Sequence, residues 1–378
     1  MKIRLGSKAR DIMKITACVL SLPIIYIAAS KTMPYIEPLI ERVAVFSASI
    51  SFMPENRNIL ETDSNWENDF IEDSITGLSD SEVNIEYDET PVQEEIPSDT
   101  TSSAVETEIE KPANSGVIDR KTYVAGNTGV YINLKEGFIK NCTKLPVQKI
   151  LDAVKKLPKF KIKANAKPEV LIMHTHATEG YQDTELGYFD KSDTTRTTDN
   201  TKNVTRVGDE IGKQLKEAGI GVIHDKTLHD YPSYNGAYER SAVTVKRILK
   251  ANPTIKVVLD VHRDAIQPTA DSMIAPVTTI NGKKVAQVMI ISGCDNGKMN
   301  MPNYMENLKL SVALQRQMEK DYKTLARPIL FDYRKYNQNL TTGSILLEMG
   351  GHANTLDEAI YCGELVGKSL VKTLISLK

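Results

Sequence analysis

Cysteine is scarce in this chain, and its four cysteines lie far apart. Cys18 is in an apolar segment, and no C-x-x-C spacing joins the other three, which are Cys142, Cys294 and Cys362. An odd number of cysteines outside that segment argues against a disulfide framework, and their spacing argues against a thiolate zinc site. We therefore predict that they serve as small, buried apolar residues.

Basic residues are almost absent from the middle of the chain. Residues 55–110 hold 18 acidic residues and a single basic one, Arg57, and their apolar residues are scattered. Such a stretch buries too little surface to offset its ordering entropy. We therefore predict that residues 54–115 form a disordered, acidic tether. No internal repeat is evident in the sequence.

Residues 111–378 have the opposite balance, with 39 basic and 28 acidic residues. A positively charged region suits a polyanionic partner, such as nucleic acid, a membrane surface or an anionic cell-wall polymer. The alternative is that these residues are ordinary solvated lysines, which need no partner. The charge balance alone leaves both interpretations open.

The chain also lacks an apolar run of full membrane-spanning length. Residues 1–14 carry five basic residues and one acid, and Ile15 to Ala29 follow without charge. A spanning helix prefers about 17 to 25 apolar residues. Basic residues before an apolar segment still predict a cytoplasmic N-terminus at 1–14, a single-pass anchor at 15–30 and an exported C-terminal domain. Residues 31–53 are then a juxtamembrane segment, and a cleaved signal peptide is the alternative to the anchor.

Strands and helices alternate through residues 116–378, which we predict to form one folded domain. Apolar, β-branched runs predict strands, and Asn281-Gly282 is a strong hairpin-turn signal. The alternation predicts an α/β fold with a mostly parallel twisted sheet, helices on both faces and an antiparallel hairpin extension. Predicted strands cover 170–173, 220–223, 255–261, 272–280, 284–291 and 345–347, with an edge strand at 328–331 and an irregular pair within 129–143. Predicted helices cover 146–157, 204–219, 238–249, 308–325 and 355–377.

Polar residues follow three of these strands at their carboxyl ends. His176 and Glu179 come after the first, His262 lies at the end of the second, and Glu348 ends the third. Reacting groups collect at the carboxyl ends of strands in open α/β sheets, so these side chains are expected to converge. Two imidazoles and a carboxylate suit a zinc ion, and burial raises the pKa of a glutamate toward that of a general base. We predict a hydrolytic zinc site with His176, Glu179 and His262 as ligands and Glu348 as the base.

Alternatives exist for each of these side chains. His174 is the rival of His176 as a ligand, because both point to the same face if the strand continues. His176 is favoured because it stands three residues from Glu179. For His262 the alternative is a core histidine bonded to a backbone carbonyl, and for Glu348 it is a buried salt bridge.

Charged residues flank His262 on its own strand. Asp260 is expected to accept a hydrogen bond from a ring N–H and so to orient this or another ligand. Arg263 is predicted to act in catalysis, by stabilising the developing oxyanion or binding an anionic group of the substrate. The alternative is that Arg263 pairs with Asp264. His352 is a secondary candidate for a polar group in the cleft.

Four stretches of residues 116–378 together resemble the stage II sporulation protein P family. They are His174-Thr-His-Ala-Thr-Glu-Gly-Tyr181, Asp260-Val-His-Arg-Asp264, Tyr336-Asn-Gln-Asn339 and Leu346-Leu-Glu-Met-Gly-Gly-His-Ala-Asn-Thr355. Each stretch alone is a weak signal. Their order, after an apolar segment and an acidic tether, makes the resemblance specific.

The resemblance implies a membrane-anchored peptidoglycan hydrolase, an N-acetylmuramoyl-L-alanine amidase that is also associated with cleavage within the stem peptide. It implies action at the sporulation septum during engulfment, with sporulation proteins D and M as partners, peptidoglycan as the substrate and no nucleic acid partner. The implied fold is that of zinc-dependent cell-wall amidases, related to zinc carboxypeptidases, with Zn2+ as the cofactor.

By motif, the family's ligands map onto His176, Glu179 and His262, and its catalytic glutamate maps onto Glu348. Generic cell-wall amidases space their first histidine and glutamate more widely, so Glu185 is the alternative carboxylate ligand. Two other functions fit the same residues. One is a zinc peptidase that acts on stem peptides alone, and the other is a metal-free wall-binding scaffold with structural histidines.

Overall fold

The computed structural model describes residues 111–165 and 167–377. The predicted N-terminal segments at 1–14, 15–30 and 31–53, and nearly all of the predicted tether, lie outside these residues. No helix within the described ranges combines the length and apolar character needed to cross a membrane.

The described residues form twelve strands and five helices. In chain order the strands are β1 (Ser115–Lys121), β2 (Tyr131–Asn133), β3 (Phe138–Asn141), β4 (Pro168–Met173), β5 (Tyr188–Asp190), β6 (Gly221–His224), β7 (Val257–Asp264), β8 (Ser272–Ile280), β9 (Lys283–Ala286), β10 (Val288–Gly293), β11 (Ile329–Asp332) and β12 (Ser344–Gly351). The helices are α1 (Val147–Val154), α2 (Val204–Glu217), α3 (Ala237–Ala251), α4 (Tyr304–Asp321) and α5 (Leu356–Ile375).

The main sheet has eight strands in the order β2-β3-β11-β10-β12-β7-β4-β6. Its strands pair in parallel except at β2–β3 and β10–β12. The predicted α/β fold with a mostly parallel sheet is therefore confirmed. The strand predicted at 328–331 is not an edge strand, because β11 lies between β3 and β10.

Helices cover both faces of the main sheet, as a parallel sheet requires. Alternate residues of β4 belong to different cores, because successive side chains of a strand point to opposite faces. Val170 and Ile172 pack in the larger core with α1, α2, α4 and α5. Leu171 and Met173 pack in a smaller core with Val245 of α3. Cys294 and Cys362 are buried as predicted, whereas Cys142 is exposed.

A second, four-stranded sheet has the order β5-β1-β8-β9. The predicted hairpin is present at β8–β9, and both turn residues, Asn281 and Gly282, have positive φ, as its tight turn requires. The hairpin does not extend the main sheet, which corrects the prediction. The chain leaves the second sheet at Gln287, whose side chain bonds to Tyr123 and Thr324, and enters the main sheet as β10.

Candidate metal and catalytic site

The carboxyl ends of three neighbouring strands carry the predicted site residues. Met173 at the end of β4 pairs with Asp260 of β7. His262 of β7 in turn pairs with Glu348 of β12. Because these strands run parallel, the loop that follows β4 lies beside the last residues of β7 and β12.

His176, Glu179 and His262 form a buried cluster in which one ligand atom from each residue lies within 4.8 Å of the others. Nδ1 of His176 is 3.5 Å from Oε1 of Glu179. Nδ1 of His262 is 3.5 Å from Oε2 of the same carboxylate. The two imidazole rings lie 5.1 Å apart and are nearly perpendicular. The fold therefore brings together the three side chains that the sequence predicts as ligands.

Two polar atoms of this cluster lack the partners that buried polar atoms usually have. Oε1 of Glu179 and Nδ1 of His262 have no hydrogen-bond partner among the described residues, although both residues are fully buried. Leaving such an atom unpaired costs about 1 to 3 kcal/mol. Two imidazoles and a carboxylate at this separation are a donor set that fits a zinc ion. The residues present thus suit the metal that the sequence predicts.

Asp260 orients His262, as predicted. Nε2 of His262 lies 2.8 Å from Oδ1 of Asp260. Thr175 donates its backbone N–H and its hydroxyl to the two oxygens of the same carboxylate, at 2.8 and 2.7 Å. A carboxylate only accepts, so Nε2 of His262 carries a proton, and Nδ1 is the ring nitrogen that faces Glu179.

The electrostatics of the cluster favour positive charge. Burial alone lowers the pKa of His262, but the carboxylates of Asp260 and Glu179 outweigh it and raise this pKa well above its usual range. Burial alone raises the pKa of Glu179, but His262, His176 and Arg263 hold it well below its usual range. An ionised carboxylate in a field that attracts cations is the environment a bound metal requires.

Glu348 lies beside this cluster at the end of β12. It is 1% exposed, and its Oε2 has no hydrogen-bond partner in the described part of the chain. Burial, reinforced by Asp264, raises its pKa well above the usual range. A buried carboxyl with a raised pKa has the property that a general base near neutral pH needs. No ion pair to Glu348 is found among the described residues, so the salt-bridge alternative finds no support.

Arg263 contacts the loop that carries Glu179. Its backbone N–H donates to Oε2 of Glu179 at 3.0 Å. Its guanidinium donates to the carbonyl of Gly180 at 3.1 Å and to the hydroxyl of Thr195 at 3.2 Å. These are the contacts of a residue that holds the loop in place, and its predicted catalytic role stays a prediction. Asp264 does not pair with Arg263, because it binds Arg327 at 2.7 Å.

The structure separates the rival candidates from the cluster. His174 is buried, but its Nδ1 donates to the carbonyl of Val261 at 2.7 Å and its Nε2 lies 2.9 Å from Nε2 of His224. Glu185 is partly exposed and pairs with Arg120 and Lys284. His174 therefore supports the strand that carries His262, and Glu185 lies outside the group of residues that can share a metal ion.

His352 is buried in the turn after β12. Neither of its ring nitrogens has a hydrogen-bond partner among residues 111–165 and 167–377. Burial, together with the nearby Arg263, lowers its pKa to about 3. The imidazole is therefore neutral at physiological pH, and its role as a secondary polar group of the cleft stays a prediction.

Several residues of the site come from other segments of the chain, both loops and the start of α3. Tyr234 stacks on His176 with ring centroids 4.5 Å apart, and Tyr238 approaches the same ring edge-on at 5.5 Å. Tyr336 stacks on Tyr238 at 5.0 Å. Arg196 lies over Tyr234, and its guanidinium is 3.9 Å from Glu179. The sequence offers two signals for these residues: the long polar stretch at 184–202, which contains Arg196, and the Tyr336-Asn-Gln-Asn339 stretch of the family resemblance.

Comparisons with solved structures return cell-wall amidases at low similarity. The amidase AmiC2 of Nostoc punctiforme is 13% identical, with a TM-score of 0.33, over 56% of this chain and 97% of that one. The CwlD amidase from Clostridioides difficile, solved in complex with the GerS lipoprotein, is 13% identical, with a TM-score of 0.34, over 56% of this chain and 100% of that one. TM-scores this low carry no inference about the activity of this chain.

Sequence comparison identifies a closer relationship. Stage II sporulation protein P of Bacillus subtilis (strain 168) is 33% identical over 205 residues, which are 51% of this chain and 47% of that protein. The chain thus spans about half the length of this curated relative. The family model described as stage II sporulation protein P (SpoIIP) matches residues 51–370. Because that match covers most of the sequence, the chain belongs to the stage II sporulation protein P family.

Proposed function

We propose that this protein is a zinc-dependent peptidoglycan hydrolase of sporulation, specifically an N-acetylmuramoyl-L-alanine amidase with additional activity on the stem peptide. The observation that carries the proposal is the buried cluster of His176, Glu179 and His262 with Glu348 beside it. Family membership supports the role in sporulation. The amide substrate is what the resemblance to this family implies.

His176, Glu179 and His262 are the residues that would hold zinc. When bound there, zinc supplies a Lewis acid that polarises the scissile carbonyl and lowers the pKa of water. Asp260 keeps the proton of His262 on Nε2, so Nδ1 stays available as a ligand.

Glu348 carries the proton transfers in this proposal. Its carboxylate removes a proton from the attacking water, and a bond forms between the water oxygen and the carbonyl carbon of the amide. Glu348 then returns the proton to the departing amine as the carbon–nitrogen bond breaks. Burial supports the first step, because it raises the pKa of the carboxyl and so strengthens the carboxylate as a base.

The test is digestion of purified cell wall by the full chain and by Glu348→Gln. We expect the variant to bind zinc as the wild type does and to lose hydrolysis, because Gln cannot take the proton. Glu185→Gln is the matched control, since Glu185 lies outside the cluster. A Glu348→Gln variant that still digested the wall would remove Glu348 from this role.

Product and metal analysis separate the proposal from its alternatives. An amidase frees whole stem peptides from the glycan, whereas a peptidase leaves their first residue attached. A purified chain without zinc and without chelator-sensitive hydrolysis would favour a wall-binding scaffold.

Anchoring and partnership belong to the same proposal. We propose that residues 15–30 hold the protein in the cell membrane, with the catalytic domain outside, at the sporulation septum. Support comes from the basic N-terminal residues and from the resemblance, which also implies action with sporulation proteins D and M. Fractionation of sporulating cells tests the anchor, because recovery of the intact chain in the soluble fraction contradicts it.

A further inference from the structure

A groove lined by lysines lies apart from the metal cluster. Its basic lining residues are Lys161, Lys163, Lys167 and Lys256, and its volume is about 270 Å³. The remaining lining residues are Asn165, Glu169, Pro253 and Thr254. We call this feature the lysine groove. Lys256 comes from a segment distant in sequence from the other three lysines, so the fold assembles the groove.

The lysine groove carries positive charge that the protein does not neutralise. Lys161, Lys163 and Lys167 are exposed. Among the ion pairs of the described residues, none involves any of the four lysines of the groove. Glu169 is the single acidic residue in its lining, and it is 3% exposed. The surface therefore has an excess of cations that face solvent.

The segment that precedes β4 contains further lysines outside the groove. Residues 155–167 contain six lysines and no acidic residue. Ile162 is buried and Phe160 is half-buried, while the lysines on either side of them face outward. The apolar residues thus fix the segment to the domain, and a row of ammonium groups leads into the groove.

The groove lies at the amino-terminal ends of β4 and β7, whereas the metal cluster lies at the carboxyl ends of the same strands. Lys167 immediately precedes β4, and Lys256 immediately precedes β7. Both strands run from the groove toward the cluster. The six residues of β4 span roughly 20 Å at about 3.3 Å each. A ligand in the groove therefore leaves the metal cluster open.

We propose that the lysine groove binds the phosphate groups of a linear anionic polymer of the cell wall. Lysine binds phosphate as a point charge, and several lysines along an open groove match a chain of repeated charges better than one small anion. The concave lining favours a polymer strand that can enter it over a flat lipid surface. Only the identity of the polymer as a wall component rests on the proposed function.

The test compares three forms of the full chain in a Glu348→Gln background, so that the wall is not digested. The first form is the parent. The second, called the triple variant, carries glutamine at the three groove positions Lys161, Lys163 and Lys167. The third is the control, which carries glutamine at three exposed lysines outside the groove, Lys144, Lys246 and Lys298. Cosedimentation is measured with purified walls and with the same walls after their phosphate polymers are removed by hydrofluoric acid.

We expect the triple variant to bind intact walls at least roughly tenfold more weakly than the parent and the control, because neutralising phosphates with lysines is a strong, salt-dependent interaction. On stripped walls the three forms should bind equally. Raising the salt from about 50 to about 200 mM should weaken the parent and the control more than the triple variant.

Equal binding of the triple variant and the control to intact walls overturns the proposal. A deficit of the triple variant that persists on stripped walls also overturns it, because the ligand is then not the phosphate polymer. Cosedimentation with vesicles of anionic lipid is measured in the same way. If the deficit of the triple variant appears only with these vesicles, the surface binds membranes and the proposal fails.

Hydrolysis is measured separately, with proteins that keep the native Glu348. If the parent with native Glu348 does not hydrolyse the wall, the proposed function is contradicted. The inference about the groove still holds in that case, provided that the triple variant binds intact walls more weakly than the control.

Discussion

The imidazole of His262 donates its Nε2–H to Asp260 across 2.8 Å, and both residues lie on the same face of β7. Asp260 also accepts two hydrogen bonds from Thr175, which precedes His176 in the loop after β4. One buried carboxylate therefore orients a predicted ligand on a strand and fixes the start of the loop that carries the other two. Its effect on the site should be measurable without any assay of hydrolysis.

We expect Asp260→Asn to weaken zinc binding by roughly 10- to 100-fold. An amide has one acceptor oxygen and an NH2 group, so a donor of Thr175 or His262 loses its acceptor and the imidazole loses its orientation. Chelator competition measures the affinity. Asp183→Asn is the control, because Asp183 is exposed. Equal affinity in the two variants would show that this hydrogen bond does not prepare the site.

Glu179→Gln is expected to abolish zinc binding at micromolar metal, whereas Glu185→Gln should bind as the wild type does. Glu179 supplies the anionic oxygen between two imidazoles, while Glu185 pairs with surface cations. Metal content after dialysis and chelator competition both measure the outcome. The opposite result, with loss in Glu185→Gln alone, would move the carboxylate ligand to the alternative position.

The central strands could be predicted because they are buried on both faces and read as continuous apolar runs. Each of the runs before His174, His262 and Glu348 appears as a strand of the main sheet. In the second sheet only the β8–β9 hairpin could be predicted, from its Asn281-Gly282 turn, and β1 and β5 could not. β1 is half-exposed, and it pairs with β8, so that Val117 lies opposite Ser272. A strand pairing between residues so far apart in sequence cannot be predicted from local periodicity.

The convergence of three ligands could likewise be predicted, because parallel strands end at one edge. The residues around them could not. Tyr234, in the loop before α3, and Tyr238, in the first turn of α3, contact His176, and Tyr336, in the loop before β12, stacks on Tyr238. Tyr336 also has a positive φ of 41°, which no pattern of neighbouring residues indicates. Such backbone conformations are fixed by tertiary contacts.

Asn337 supplies the tertiary contacts of that loop. Its φ is 54°, and its side-chain amide donates to the carbonyl of Tyr238 at 2.8 Å and to the hydroxyl of Ser241 at 3.0 Å. Asn337→Ala should cost about 1 to 3 kcal/mol, because it loses both bonds and keeps a strained backbone. Asn337→Gly should cost less, because glycine adopts this φ without strain. Urea unfolding of both variants measures the order, and a glycine variant less stable than the alanine variant contradicts the strain argument.

Two glycines on α2 provide a sharper test, because the same substitution is expected to act in opposite directions. A Cβ at Gly208 would lie 2.8 Å from Nε2 of His224 and 2.9 Å from Nε2 of His174, closer than side chains approach. At Gly212 the nearest atom, Cδ1 of Ile172, would be 3.6 Å away, an ordinary contact. Gly208 therefore leaves room for the histidine pair, whereas Gly212 does not need to be glycine.

We expect Gly212→Ala to raise the free energy of unfolding by up to about 1 kcal/mol, since alanine favours the helix. Gly208→Ala should lower it by about 1 to 3 kcal/mol, since the added methyl overpacks a buried site. His174 also bonds to Val261, the residue before His262, so Gly208→Ala should weaken zinc binding while Gly212→Ala leaves it unchanged. Urea unfolding and chelator competition measure the two effects. Stabilisation by both substitutions would mean that the histidine pair tolerates displacement and does not support the strand of His262.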